Sequence, residues 1–361
     1  MINIGGKLTH GGDVWAAANK WGISPEAFLD YSANINPLGP CFESIAAIQR
    51  SMKLLIHYPE PTGKELKETL GQYLHIDIEN LVLGNGGSEL IYLLGRMFYQ
   101  KRVLRLAPTF SEYGEGIENP YIYEINLKAE EQFQLPTSEI ITQMREDDLI
   151  FIGNPNNPTG KVFPREEIIK IIKQAEKMNA IVVVDEAFID FVGDDSCSLR
   201  DLAAANEHLI VIGSLTKFFA IPALRLGYAV AAEDKIQKME QLLPTWRINT
   251  LAQAAAAASI KNQEYINDTI QLIREERPLL NTGLNKIKGL KVFPSATNFI
   301  LVDGEGTGVT AEAIQERLGP EGILIRKCNS FNNLSPYYFR LAVKKRHDNQ
   351  RLLETLQKVL A

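Results

Sequence analysis

The stretch SLTKFFAIPALRLGY, residues 214–228, holds one lysine, Lys217, inside an otherwise apolar run, with Arg225 eight residues further on. An ammonium group among Phe218, Phe219, Ile221 and Leu224 is costly to bury unpaired, so it either snorkels to water or loses its proton and becomes a nucleophile. Three more segments put reactive or binding side chains where strand-like runs end. LGNGGSELI (83–91) turns on Gly84, Gly86 and Gly87 and opens a helix at Ser88 and Glu89. The free N–H groups of a helix start hold anions such as phosphate, although a glycine turn with a serine cap explains the same residues. A P-loop needs Gly-Lys-Ser/Thr, and the dinucleotide fingerprint needs glycine where Glu89 stands. NPNNPTG (154–160) is a rigid turn with two Asn-Pro steps. Asp185 ends the run VVVDEAF, where a buried carboxylate needs either a helix to cap or a cation or protonated ring nitrogen to face.

These ends supply a phosphate turn, an amide, a carboxylate, the hydroxyls of Ser214 and Thr216, a buried amine and an arginine. The set suits a phosphorylated, nitrogenous, carbonyl-bearing cofactor, and pyridoxal 5'-phosphate meets that description. Lys217 then forms the Schiff base, its pKa depressed by low polarity and nearby cations, and Asp185 keeps the pyridine nitrogen protonated.

Such residues need strands that end together. LVL (81–83), RVLRLA (102–107), DLIFIG (148–153), AIVVVDEAF, LIVIGSL (209–215) and LGYAVA (226–231) read as strands, with helical SELIYLLGRMF and REEIIKIIKQAEKM between them. Continuous apolar strands alternating with helices predict an α/β domain with a mostly parallel central sheet, whose ligands bind at the carboxyl ends of the strands. Residues 1–40 read as a short helix near 13–21 and a turn-rich arm, DYSANINPLGP. A long helical stretch at 249–287 leads into three strand-like runs and predicts a smaller α+β domain. The expected divisions are 1–45 for the arm and helix, covering the active site as part of the small domain, 46–240 for the large cofactor-binding domain, and 241–361 for the small domain.

The bulk numbers exclude other classes. With 361 residues, 45% hydrophobic, 23% charged and a net charge of −6, the chain has core to spare and no basic stripe for nucleic acid. KKRH (344–347) is short and reads as a solvated face. The scattered histidines and the three cysteines, Cys41, Cys197 and Cys328, have neither metal-ligand nor disulfide spacing, and the cysteines fit a reducing cytoplasm. MINIGGKLTHGG shows no signal core, and no apolar run is long enough to span a membrane.

NPNNPTG, DEAFIDF and SLTKFFAIPALRLGY, in this order, resemble the fold-type I pyridoxal-phosphate aminotransferase superfamily, in the branch of histidinol-phosphate aminotransferase. The likeness runs nearly end to end. HGGDVWAAANKWGISPEAFLDYSANINPLGP (10–40) is similar to the threonine-phosphate decarboxylases of cobalamin synthesis. The resemblance implies the aspartate aminotransferase-like fold, pyridoxal 5'-phosphate as cofactor, and a homodimer with shared active sites. It makes Lys217 the Schiff-base lysine and Asp185 the partner of the pyridinium. Asn157 bonds the ring's phenolic oxygen, and Phe110 stacks on the ring with Tyr113 close by. Gly86, Gly87, Ser88, Ser214, Thr216 and Arg225 hold the cofactor phosphate, and Tyr58 reaches the phosphate site of the partner subunit. Arg340 grips the substrate carboxylate and Arg326 a substrate phosphate, so the expected substrate is a phosphorylated amino acid. For either arginine alone, a surface charge on a strand is the structural alternative. His10 and Asn34 are expected near the substrate phosphate and Asn298 in the substrate pocket; a solvated terminal histidine and a strand-end turn residue are the alternatives for His10 and Asn298.

One residue departs from the aminotransferase pattern. Aminotransferases of this branch carry tyrosine three residues after the aspartate, and here it is Phe188. DEAFIDF and the N-terminal arm favour a decarboxylase, which must hold the substrate carboxylate perpendicular to the ring, whereas an aminotransferase holds the α-hydrogen there. Histidinol-phosphate aminotransferase, or another aminotransferase on this scaffold, remains the nearest alternative. A cofactor-sensing regulator without turnover is a remote one, since such proteins carry a basic DNA-binding domain in front.

Overall fold

The computed structural model describes residues 11–99, 101–117 and 120–360. Thirteen strands are found among them. A two-residue strand, β1 (Leu29–Asp30), precedes the strands of the large sheet: β2 (Leu81–Gly84), β3 (Val103–Ala107), β4 (Ile122–Asn126), β5 (Leu149–Gly153), β6 (Ile181–Asp185), β7 (Leu209–Ser214) and β8 (Gly227–Val230). Their order is β2-β8-β7-β6-β5-β3-β4. The β4, β3, β5, β6 and β7 pairings are parallel, and β8 runs antiparallel to both neighbours. β2, β5, β7 and β8 are buried along their whole length, as continuous apolar runs covered on both faces must be. The sequence pattern did not reveal β4, an edge strand that is partly exposed over most of its length.

The register places the chemistry. Gly153 of β5 pairs with Asp185 of β6, and Asp185 pairs with Ile212 of β7, so the three carboxyl ends are level. Because β8 is antiparallel, its first residue, Gly227, sits beside both Ser214 and Gly84. The turn at Gly86–Gly87 and the loop after β7 thus come to one end of the sheet. Gly227 permits this: a Cβ there would lie 2.6 Å from the Gly87 nitrogen.

The second sheet is antiparallel, β12-β13-β10-β9, from β9 (Lys291–Val292), β10 (Phe299–Asp303), β12 (Arg326–Lys327) and β13 (Tyr338–Ala342). The two-residue β11 (Ile323–Leu324) pairs in parallel with β1 and fastens the N-terminal arm to this region. The helix Val14–Trp21 packs there through Ala17, Phe28 and Leu324. The expected helical stretch at 249–287 is two helices, Thr250–Ile260 and Gln263–Asn285, the second capped by the Asn262 side chain. The first is rich in alanine, which lets it approach Phe42–Ser51 and Lys64–Leu74, elements on the other side of the expected division at 240. No helix among the described residues is long and apolar enough to cross a membrane.

Candidate active site

A cavity of about 610 Å³ opens at the carboxyl ends of β5, β6 and β7. Lys217 lies on its floor, in a single helical turn that follows β7 directly. Its Nζ donates to Thr216 Oγ1 at 3.2 Å, and no carboxylate among the described residues comes within ion-pair distance. Burial, then the nearby charge of Arg225, lowers its pKa from 10.5 to about 8; Asp185 acts in the opposite sense, and Arg340 adds to the lowering. The group is therefore a buried amine that is uncharged far more often than a surface lysine.

Asp185 faces the same space from the end of β6. Its Oδ1 accepts the Ala187 N–H at 2.9 Å, and its Oδ2 accepts the Tyr113 hydroxyl at 2.9 Å. Burial raises its pKa despite these two donors and Lys217. A raised carboxyl here is relieved by a cation or protonated nitrogen in the cavity. Tyr113 is stacked on Phe151 with ring centroids 5.1 Å apart and braces the aspartate. Phe110 meets it edge-on at 5.7 Å on the cavity wall.

Four elements converge on an anion-sized corner. Gly87 and Ser88 begin the helix Gly87–Met97 and line the cavity. Ser214 and Thr216 join hydroxyls at 2.8 Å. Arg225 completes the corner from a left-handed backbone, φ +55°, which a non-glycine residue holds only where its surroundings enforce it. Gly86 does not line the cavity; its φ is +85°, and a Cβ would lie 2.6 Å from an Arg225 nitrogen. Its part is to leave room for that guanidinium.

Opposite lies a second cationic corner. Arg326 and Arg340 are direct cross-strand partners on β12 and β13, each under a tenth exposed. Two guanidiniums so placed repel each other, and a bound anion relieves the repulsion. Burial lowers the pKa of both, that of Arg340 to about 10. Arg340 donates to the Ser32 carbonyl at 2.8 Å and to Asn157 Oδ1, while its Nε is buried without a partner. With its oxygen held by Arg340, the Asn157 amide has its N–H₂ left for the cavity that it lines. Asn34 lines it too, 3% exposed, with both amide atoms buried and unsatisfied. Such a group marks a place where a polar ligand belongs.

Besides Gly86, two expected residues, Asn298 and Tyr58, do not line the cavity. Asn298 is wholly buried behind the wall, where its Nδ2 donates to the Asn34 carbonyl at 3.0 Å; it holds the Asn34 segment rather than facing the pocket. Tyr58 is 77% exposed and stacked on Trp246 at 4.4 Å, away from this chain's own cavity. His10 lies outside the described residues. Other residues escaped the sequence reading. Ser32 hydrogen-bonds the Gly12 N–H at 2.7 Å and offers its carbonyl to Arg340, so the Gly-Gly pair and the SAN motif form one unit. A Cβ on Gly11 would lie 2.2 Å from the Ser32 oxygen. Glu186 is buried behind Asp185, accepting from Ser198 Oγ and the Leu199 N–H at 2.7 Å each, with Arg200 3.1 Å away.

The sequence model of the family described as "Aminotransferase class I and II" matches residues 27–356. This chain belongs to that family. A protein of Caldanaerobacter subterraneus subsp. tengcongensis, provisionally named a threonine-phosphate decarboxylase, is 37% identical over 90% of this chain and 88% of its own length. The threonine-phosphate decarboxylase of Salmonella typhimurium is 32% identical over 97% of this chain and 96% of its own. The solved histidinol-phosphate aminotransferase of Clostridium acetobutylicum is 32% identical, with a TM-score of 0.84 over 91% of this chain and 98% of its own. The fold is that of the fold-type I pyridoxal-phosphate enzymes. Pyridoxal 5'-phosphate is the cofactor, and the cavity fits it: an amine of lowered pKa, a carboxyl that burial leaves wanting a cation, and a corner of hydroxyls, helix start and arginine.

Proposed function

We propose that this enzyme decarboxylates O-phospho-L-threonine to (R)-1-amino-2-propanol O-phosphate and carbon dioxide, as a step of cobalamin biosynthesis. The observation that carries the reading is the pairing of Arg326 with Arg340 across β12 and β13, next to the unsatisfied amide of Asn34. A substrate with both a carboxylate and a phosphate meets one guanidinium with each. Similarity to the Salmonella typhimurium threonine-phosphate decarboxylase supports it.

The bound cofactor supplies an electron sink for the pair released when a bond at the α-carbon breaks. Lys217, whose pKa of about 8 gives it a far larger neutral fraction than an ordinary lysine, is the amine that would hold the aldehyde. Asp185, braced by Tyr113, would face the ring nitrogen and keep it protonated. Ser88, Ser214, Thr216, Arg225 and the Gly87 helix start, which line one corner of the cavity, would bind the cofactor phosphate. Phe110 would cover one face of the ring, and Asn157, its oxygen held by Arg340, would offer its N–H₂ to the phenolic oxygen. Arg340 and Arg326 fix carboxylate and phosphate together, and that orientation decides which α-carbon bond is weakened. Once the carboxylate has left as carbon dioxide, one proton must replace it, and Lys217 Nζ stands ready to deliver it. Phe188 lines the cavity without a hydroxyl, which leaves Asn157 as the donor to the phenolic oxygen and favours the lyase.

Phe42, Met52, Leu55, Ile56 and Tyr58 are exposed in one stretch of chain, Ile56 to 84%. We assign this surface to the contact of a homodimer in the cytoplasm, through which Tyr58 reaches the partner's phosphate corner. The likeness to histidinol-phosphate aminotransferase at 32% identity favours a second reading, amino transfer from glutamate to imidazole-acetol phosphate. Incubation with O-phospho-L-threonine separates the two. Carbon dioxide release with one equivalent of amino-propanol phosphate is expected. No release, together with amino transfer to imidazole-acetol phosphate, overturns the decarboxylase.

A further inference from the structure

The segment 326–334 leaves the cavity and crosses to the edge of the large sheet. Its inner part lines the cavity with Arg326 and Phe331; Arg326 donates to Ser330 Oγ at 2.7 Å and lies 5.2 Å from the Phe331 ring. Its outer part exposes Asn332 and Asn333. Asn332 Nδ2 donates to both oxygens of Glu124 on β4, at 2.8 and 2.9 Å. Asn333, with φ +64°, donates to the carbonyls of Ala107 and Leu127, just where β3 and β4 end. Glu124 in turn accepts Nε and Nη2 of Arg105 at 3.0 and 2.8 Å. The remaining nitrogen of Arg105, Nη1, donates to the carbonyls of Ser111 and Tyr113 at 3.2 and 2.7 Å. Those carbonyls belong to the loop whose Phe110 and Tyr113 form the opposite wall of the cavity. A small crevice of about 140 Å³ runs along these contacts.

We propose that Asn332 and Glu124 are positioning residues that latch the segment bearing Arg326 onto the loop bearing Phe110, so that capture of a substrate anion is coupled to the wall that seats the cofactor ring. The proposal rests on the reading of Arg326 as the grip on the substrate phosphate. Hydrogen bonds at an exposed rim are individually weak, which suits a latch that must open to admit substrate and close over it. The left-handed backbone of Asn333, a conformation that asparagine adopts readily, is held by the two carbonyl bonds at its side. Arg105 carries the effect onward, because one guanidinium bridges Glu124 and the Phe110 loop.

The test compares the holoenzyme with Asn332→Asp, Glu124→Gln and the double variant Asn332→Asp/Glu124→Gln. Asn332→Asp opposes two carboxylates and opens the latch. Glu124→Gln alone is tolerated, because the Asn332 amide can turn its oxygen toward the new donor. The double variant restores one donor and one acceptor with their roles exchanged. In Asn332→Asp the KM for O-phospho-L-threonine is expected to rise about ten-fold, with kcat within about two-fold of wild type. The double variant is expected to recover most of that rise. Amide hydrogen exchange of residues 326–334 should follow the same order, fastest in Asn332→Asp. An unchanged KM, or a rise that the double variant does not reverse, overturns the latch. If the wild type does not turn over O-phospho-L-threonine, the functional reading falls instead, and the latch is judged on hydrogen exchange and on affinity for inorganic phosphate. The same ranking of the four proteins then supports it, and equal exchange in all four overturns it.

Discussion

Replacing Lys217 by methionine should make the cofactor-free protein more stable at neutral pH, although it removes the central reactive group. The folded protein holds this lysine at a pKa of about 8 against an ordinary 10.5. At 1.36 kcal/mol per pKa unit, that is about 3 kcal/mol of stability forfeited by folding around an ammonium. The sign follows from proton counts. Below about pH 8 the lysine is protonated in both states, and folding bears the whole penalty. Between 8 and 10.5 the folded form is neutral while the unfolded chain still binds a proton, so the penalty shrinks, and above 10.5 it is gone. Methionine keeps the length of the side chain and has no charge to desolvate. It loses one donor to Thr216 Oγ1, which stays bonded to Ser214 Oγ. Urea unfolding of cofactor-free wild type and Lys217→Met, at equal protein concentration, should therefore differ by about 2–3 kcal/mol at pH 7 and by under about 1 kcal/mol at pH 10. A variant no more stable than wild type at pH 7, or a gap that persists at pH 10, refutes the picture of a desolvated amine.

Phe188→Tyr puts a hydroxyl beside the ring position faced by Asn157 and is expected to shift the ratio of decarboxylation to amino transfer toward transfer, measured by product analysis; an unchanged ratio removes Phe188 from the control of reaction type. Arg326→Ala should raise the KM for O-phospho-L-threonine about 10- to 100-fold, the worth of a charge-assisted grip on phosphate, and barely change that for unphosphorylated threonine. Asn298→Ala leaves the buried Asn34 carbonyl without its donor, so urea unfolding should show a loss of about 1–3 kcal/mol together with weaker substrate binding.

The sheet was legible because its strands are unbroken apolar runs, and Lys217 and Asp185 stood out because each lies at the end of such a run; Asn157 was named by the resemblance. β4 was not legible, since a half-exposed edge strand such as IYEIN has no continuous apolar signature. The helices Phe42–Ser51 and Lys64–Leu74 were passed over for the same reason: each buries only a narrow stripe. The family resemblance named Arg326 and Arg340, but not that they oppose one another, because antiparallel register joins residues far apart in the chain. For Asn298 the alternative of a strand-end turn residue, rather than a pocket-lining one, agrees with the structure. It precedes β10, and the packing of β10 against β13 turns it inward to hold a neighbouring carbonyl. Side-chain direction at a strand end depends on the partner strand, which local sequence does not contain.

The reversed direction of β8 closes residues 215–226 into a clip, with Ser214 and Gly227 paired at its mouth and Leu215 bonded back to the Leu226 carbonyl. The Lys217 amine and the Arg225 guanidinium both ride on that clip, so thermal breathing moves them as one body and their spacing tolerates little lengthening. The N-terminal arm and the β12–β13 arginines, joined to each other through the bond from Arg340 to the Ser32 carbonyl, lie outside that clip. A descendant of this chain could therefore acquire a new substrate by altering those parts while the anchor for the vitamin stayed untouched.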